Sequence, residues 1–311
     1  MRKDILYSWL TIVLVGLVAA LSGAIHRLSM PQVLCKEYTF EKVAYLAEGQ
    51  ENSLTFSIRY AYPVAVNASD EVLAKLQRAV CQTVLGDAFL DMRPQQAIEA
   101  YAAMKHNEYI QNNLPLLQEW AIDHEDEPLG ETLFNEELII SAAPIGYFTE
   151  DAVMEVRSPG RNITCIAIGD STLSPAVNTP VKATTHSLWS YAMDVYEYTG
   201  GAHGNRYLLI QNYDLRTGDA VSEQDLFIDD YFEPLKTLLL EALIAQTDKA
   251  ETKKDLRRLG YSVADVVPNE NFYVTPAGIT YVYNPYEIAP YAMGCIQISI
   301  PWDSVRHLLR N

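Results

Sequence analysis

Tyr196-Glu197-Tyr198-Thr199-Gly200-Gly201-Ala202-His203-Gly204-Asn205 lies between two strand-like runs, Ser187 to Tyr198 and Arg206 to Asp214. Both runs are dominated by aromatic and aliphatic residues, the composition of a half-buried strand. The glycines at 200, 201 and 204 allow positive φ and close backbone approach, which a side chain would forbid. The stretch therefore predicts a hairpin turning through a glycine-lined corner, with Gly200, Gly201 and Gly204 as its structural turn. His203 at that corner invites a catalytic or metal reading. A metal site needs further ligands at suitable spacing, and the neighbours of His203 bring none. The plainer expectation is a histidine that packs or hydrogen-bonds locally, with no metal and no cofactor.

Working outward, Tyr38 to Glu48 and Ser53 to Tyr62 read as strands joined by the polar turn Gly49-Gln50-Glu51-Asn52, and Pro63 is expected to end the second. Ser69 caps a helix with Asp70 and Glu71 in its first turn and Val72, Leu73, Leu76, Val80 and Val84 along one side; Gly86 closes it. A second helical region runs from Pro94 to Trp120, interrupted before Pro115, with Tyr101, Met104, Tyr109 and Leu116 expected in the core. Strands follow at Glu137 to Ala143, Ala152 to Ser158 and Asn162 to Ile168, the last two joined by a turn at Pro159-Gly160. Beyond the corner come a turn at Asp214 to Gly218, helices at about Tyr231 to Thr247 and Asp248 to Leu259, and a hairpin of Phe272 to Val274 with Ile279 to Tyr283. An aromatic loop, Asn284 to Tyr291, leads to a last strand, Gln297 to Ile300, and a short helix, Trp302 to Leu309. Strands and helices mix without a βαβ rhythm. The class is α+β, with mixed, mostly antiparallel sheets and packed helices in two abutting domains, residues 31–215 and 216–311.

Residues 1–30 form a membrane anchor or signal segment. Ile5 to Ile25 is an apolar run of 21 residues preceded by Arg2 and Lys3, long enough to span a bilayer as a helix, with the remainder outside. An uncleaved anchor through residues 5–25 is preferred. A cleavable signal peptide ending near Ala20-Leu21-Ser22 and lipidation of Cys35 are the alternatives. Each of them exports residues 31–311, to the periplasm or the cell surface. Net charge is −17, from 23 basic and 40 acidic residues. Such a field repels phosphate backbones and argues against nucleic acid as a partner. The four cysteines, at 35, 81, 165 and 295, form no CxxC pair, which argues against a zinc ribbon or thioredoxin-like site. His124, in the acidic loop Asp123 to Glu127, could hold a cation, but exposed charge runs are usually solvated. Asn67 and Asn162 begin glycosylation sequons.

Tyr198 to Gly204, followed by Asn212 to Gly218 and Asp225-Leu226-Phe227, resembles the RsiV/PdaC-type pair of exported domains. The tail Phe272 to Gly278, then Tyr283 to Gly294 and Ile298 to Pro301, extends the resemblance in the same order. Residues 38–195 resemble the family's N-terminal domain only loosely. The resemblance implies a membrane-attached, extracytoplasmic bacterial protein. Members include an anti-sigma factor whose exterior binds lysozyme and a peptidoglycan deacetylase whose catalysis lies in a separate domain. Only Met1 to Asp4 precede the apolar run here, so no sigma-binding segment is expected, and no catalytic residues carry over. The shared part is expected to be a recognition or scaffold module.

Two functions of different class follow. The first is a non-catalytic binding or scaffold module for a cell-wall glycan or a cationic protein such as lysozyme, with His203, Tyr198, Tyr286, Glu287 and Tyr291 as the binding face. The tyrosines at 273, 281, 283, 286 and 291 could supply it, although alternating tyrosines in strands more often fill core and sheet surface. The second is a cell-envelope hydrolase or peptidoglycan-modifying enzyme using His203 with a nearby carboxylate, Glu197 or Asp214. No serine or cysteine elbow motif supports a nucleophile. A purely structural envelope protein is the third, plainest alternative.

Overall fold

The computed structural model describes residues 33–47, 51–123, 133–145, 187–275 and 277–310, and the backbone of 156–158, 161–163 and 179–180. Residues 5–25, His124 and Cys165 lie outside them. Among the described residues no helix is long and apolar enough to cross a membrane.

The chain is mixed α and β. In order it forms β1 (Val33–Tyr45), β2 (Ser53–Val66), α1 (Asp70–Leu85), α2 (Pro94–Asp123), β3 (Glu136–Pro144), β4 (Val156–Ser158), β5 (Arg161–Ile163), β6 (Thr179–Pro180), β7 (Ser187–Tyr198) and β8 (Asn205–Asp214). Then come β9 (Ala220–Val221), α3 (Glu223–Leu226), α4 (Phe232–Gln246), α5 (Lys253–Arg258), β10 (Phe272–Val274), β11 (Gly278–Tyr283), β12 (Ile296–Pro301) and α6 (Trp302–Val305). A seven-stranded sheet runs β1-β2-β3-β7-β8-β9 with β6 also on β7; β10-β11-β12 make a second sheet, and β4 pairs with β5. All pairs are antiparallel except β2 with β3, whose crossover is the helical pair α1 and α2.

Local chemistry sets these elements. The Ser69 side chain accepts from the Val72 N–H at 3.3 Å, and Asp70 and Glu71 sit at the positive end of α1. Gly86, at φ 95°, returns its N–H to the Cys81 and Gln82 carbonyls and ends the helix. Val72, Leu76, Val80 and Val84 face the sheet, where Leu54, Phe56, Ile58 and Tyr60 of β2 meet them. Each such fully buried side chain contributes about 1.5–3 kcal/mol.

Three details depart from the sequence expectation. Pro63 does not end β2. The register slips beside it, Leu34 pairing Ala65 and Cys35 pairing Pro63, and β3 covers β2 only as far as Tyr60, so no ladder bond needs a proline N–H there. Pro115 does not interrupt α2, because it lies on the exposed side of a helix held by Tyr109, Asn113 and Leu117 on the other. Leu116 points away from the core, 51% exposed, and Leu117 takes the inward position.

The β7–β8 hairpin is the middle layer. Trp189, Tyr191, Val195 and Tyr213 point to the helices and join a cluster drawn from residues 33–215. Ala192, Leu208 and Ile210 point the other way and meet Val282 of the small sheet. Beyond that sheet, Leu235, Leu239, Leu240 and Leu243 of α4 pack with Ile279, Tyr281, Ile298 and Ile300 in a further cluster. Between the two sheets lies an ion pair, each partner under a tenth exposed. Asp194 accepts from Arg206 Nε at 2.8 Å and from its Nη2. The sheets are also joined through side-chain amides. Asn284 Oδ1 accepts from the Leu208 N–H at 2.7 Å and Asn271 Oδ1 from the Ile210 N–H at 2.8 Å. Both asparagines return an Nδ2 bond to the Leu208 carbonyl, at 3.1 and 2.9 Å.

Candidate functional site

The glycine corner and the aromatic loop meet where β8 begins. Gly200 and Gly201 have φ 92° and 93°, conformations that disfavour any L side chain. Gly204 is different. Its φ is not positive, but it lies so close to the Tyr196 ring that a Cβ would sit 2.5 Å from Cζ. Tyr198 closes the turn from the other side, its hydroxyl donating to the Gly201 carbonyl at 3.1 Å.

His203 lies flat on Tyr291, ring centroids 4.2 Å apart and planes 19° from parallel. Its Nδ1 is 3.0 Å from the Gly204 carbonyl, an oxygen that can only accept, so Nδ1 carries the proton of that bond. The Tyr291 hydroxyl donates to the same oxygen at 2.6 Å. Tyr286 continues the row, its centroid 5.5 Å from that of Tyr291, and stands 65% exposed. Its backbone is left-handed, φ 72°, and its N–H reaches the Ala289 carbonyl at 3.1 Å. A bulky residue held at positive φ stores about 1–3 kcal/mol, which the loop around it must supply.

His203, Tyr286 and Tyr291 are thus brought together, with Tyr198 at the rim of the corner. Glu287 is turned away. Its carboxylate accepts from the Asn284 N–H at 2.9 Å and holds the loop shut. The other tyrosines divide by strand parity. Tyr281 and Tyr283 are core, and the half-buried Tyr273 donates to Gln297 Oε1 at 3.0 Å. Tyr196, under the corner, was not singled out by the sequence. Its place two residues before Tyr198 on one strand face is the signal that could have found it. Burial pushes its phenol above the usual range, helped by the charge of Glu137 and by Tyr291 and Tyr198.

The two candidate carboxylates lie elsewhere. The charge of Glu197 is felt by Tyr207, Tyr101 and Lys105, on the helical side of the sheet. Asp214 is at the far end of β8, about 30 Å along the strand at ordinary rise, and is gripped by Arg216 at 2.7 Å. Among the described residues there is no group of three or more metal-ligating side chains. Cys35 and Cys81 are buried and Cys295 is partly buried. Burial pushes the Cys35 thiol up to about 12, and an acyl chain on it would have to displace core side chains.

Residues 224–303 match the family described as "Protein of unknown function (DUF3298)". Among curated proteins nothing matches. Of solved structures, a DUF3298 family member from Bacteroides fragilis NCTC 9343 is 26% identical, with a TM-score of 0.70, covering 90% of this chain and 94% of that one. A DUF3298 family protein from Pseudomonas aeruginosa PAO1 is 15% identical, with a TM-score of 0.49, covering 89% and 94%. The aromatic loop from Asn284 to Tyr291 lies inside the matched segment and the glycine corner outside it. Residues 224–303 are therefore similar to the DUF3298 family, in a chain whose architecture is similar to that of a solved DUF3298 protein.

Proposed function

We propose that this chain is an exported, membrane-attached protein of the bacterial envelope. In this proposal the row His203–Tyr291–Tyr286 is the face with which it binds a cell-wall glycan without catalysis. The observation that carries the reading is Tyr286, 65% exposed, in a left-handed backbone, and continuing a row of aromatic rings. Exposed aromatic rings held in a row offer flat apolar area with little rotamer entropy to lose, a suitable support for the apolar faces of sugar rings. Strain kept at an exposed residue points to function rather than packing. The His203 Nδ1 proton and the Tyr291 hydroxyl are both directed at the Gly204 carbonyl, so the row is rigid and organised before any ligand arrives. Membrane attachment rests on the apolar run of residues 5–25, and the RsiV/PdaC-type kinship on the motifs between 196 and 301.

The test is titration of the full chain in detergent with a soluble peptidoglycan fragment. Tyr286→Ala should weaken binding about tenfold or more while the unfolding midpoint changes little, since the exposed ring makes no core contact. Binding unchanged by Tyr286→Ala, or none at millimolar fragment, would refute the glycan reading. The −17 charge favours a second partner, a cationic protein such as lysozyme. That partner would bind more weakly as salt rises, because the Debye length falls from about 10 Å at 0.1 M to about 3 Å at 1 M.

A further inference from the structure

On a chain this acidic, cations are expected to find carboxylates, and most described arginines do. Lys236, Lys253 and Arg257 do not. Lys236 and Leu240 are one turn apart on α4, and Lys253 and Arg257 one turn apart on α5, so each pair shares a helix face. The two faces border one groove of about 440 Å³, completed by Tyr261, Ser262, Val263 and Ala264 of the loop after α5. No lining residue is acidic.

Two acids beside the groove, Asp255 and Asp265, are engaged elsewhere. Asp255 caps α5 through the Thr252 hydroxyl and N–H and pairs with Arg258 at 3.2 Å. Asp265 accepts a short hydrogen bond from the Ser262 hydroxyl. Three positive charges border one cleft that has no acid in its lining. Such an arrangement is relieved when an anion enters.

We propose that this groove binds a phosphoryl group carried on a small organic body. A phosphate monoester brings close to two negative charges and three acceptor oxygens, which matches three cations, whereas a single carboxylate would leave charge unanswered. Arg257 can bind two oxygens side by side, and Lys236 and Lys253 act as point charges. Leu240, Val263 and the Tyr261 ring supply apolar wall for the organic part. The volume falls in the range of small-ligand clefts, about 300–1,000 Å³. Lys253 and Arg257 are exposed and Lys236 half-buried, so entry needs no rearrangement of the helices. The groove shares no lining residue with the aromatic row, and the proposal does not depend on the glycan reading.

The phosphoryl group could come from a soluble ester or from a lipid headgroup. The full chain in neutral detergent would be titrated calorimetrically with glycerol 3-phosphate and, separately, with short-chain dioctanoyl phosphatidic acid, both phosphate monoesters. Dioctanoyl phosphatidylcholine serves as the zwitterionic control. Saturable binding of either anionic titrant supports the proposal if Lys236→Gln and Arg257→Gln each weaken it about tenfold, the loss expected for one charge-assisted contact. Tyr286→Ala should leave it intact. Glycerol 3-phosphate alone identifies a soluble ester, and phosphatidic acid alone a headgroup. No binding of either, binding equal to that of phosphatidylcholine, or binding indifferent to both substitutions would overturn it. The two glutamines replace solvent-facing ends, so thermal unfolding should be nearly unchanged and a folding defect is readily recognised.

Discussion

Gly204→Ala isolates one cause of stability at the corner. A methyl at Gly204 would lie 2.5 Å from Cζ and 2.6 Å from Cε2 and the hydroxyl of Tyr196, where ordinary contact begins at 3.4 Å. The ring must therefore retreat by about 1 Å, and it stands on a strand that cannot follow it. Overpacking of this kind costs about 1–3 kcal/mol. The backbone adds no strain, because Gly204 is not at positive φ. Gly200 and Gly201 are the converse, with nothing within 4 Å of a built Cβ but φ of 92° and 93°. Urea unfolding of Gly204→Ala, Tyr196→Ala and the double variant gives the coupling directly. Alanine at 204 should cost about 1–3 kcal/mol in the parent and nearly nothing once the ring is gone. Gly201→Ala should cost about 1–2 kcal/mol in both backgrounds, since its penalty is local to its own backbone. If Gly204→Ala stays within about 0.5 kcal/mol of the parent, or costs the same without Tyr196, the ring is not what demands glycine there.

Three further outcomes are expected. Arg206→Met strands the Asp194 carboxylate between the sheets and should cost about 3–5 kcal/mol by denaturant unfolding, while Asp194→Leu/Arg206→Met should lose much less than the sum of the single changes. A methyl at Gly278 would run into the Ile300 carbonyl oxygen across the β11–β12 ladder. Gly278→Ala should therefore leave little folded protein at 37 °C by near-ultraviolet circular dichroism, and a native-like spectrum there would contradict it. Burial, with a smaller push from the charge of Glu270, holds the Glu223 carboxyl above its ordinary value of 4.5, against the lowering hydrogen bonds from Glu270 N–H and Tyr231. Its stabilising share is then fully present below that ordinary value and lost as pH rises through the raised one. The deficit of Glu223→Gln should be largest near pH 4 and shrink toward neutrality; a deficit that grows with pH would refute the assignment.

The hairpin, the corner and the α+β class are legible in the sequence because their signals are local. Glycines at 200, 201 and 204, the cap at Ser69 and the alternation of β2 each act within a few residues. The parallel pairing of β2 with β3 is not legible, since both strands show the same alternation whichever neighbour they find. Pro63 and Pro115 read as breaks, but whether a missing N–H matters depends on whether anything would have received it. Within the site, the meeting of His203 with Tyr291 joins segments far apart in the chain and has no sequence period. Glu287 looks like a ligand from its aromatic neighbours, yet the nearest unmet donor is the Asn284 N–H, and the loop takes it.

The amides of Asn271 and Asn284 also determine what this protein resists. Each presents an N–H donor and a carbonyl acceptor to β8 from one planar group, the same pair a peptide unit offers, and together they occupy the Leu208 and Ile210 positions a neighbouring strand would use. A stray extended peptide arriving at that flank finds its rungs taken, by groups too short to be extended further. The outer flank of β1, a strand of 13 residues with Leu34, Val43 and Tyr45 exposed, has no such plug among the described residues. Strand addition, whether by another copy or in early amyloid-like assembly, should therefore start from β1, and the β8 flank should stay inert until Asn271 and Asn284 are pulled away.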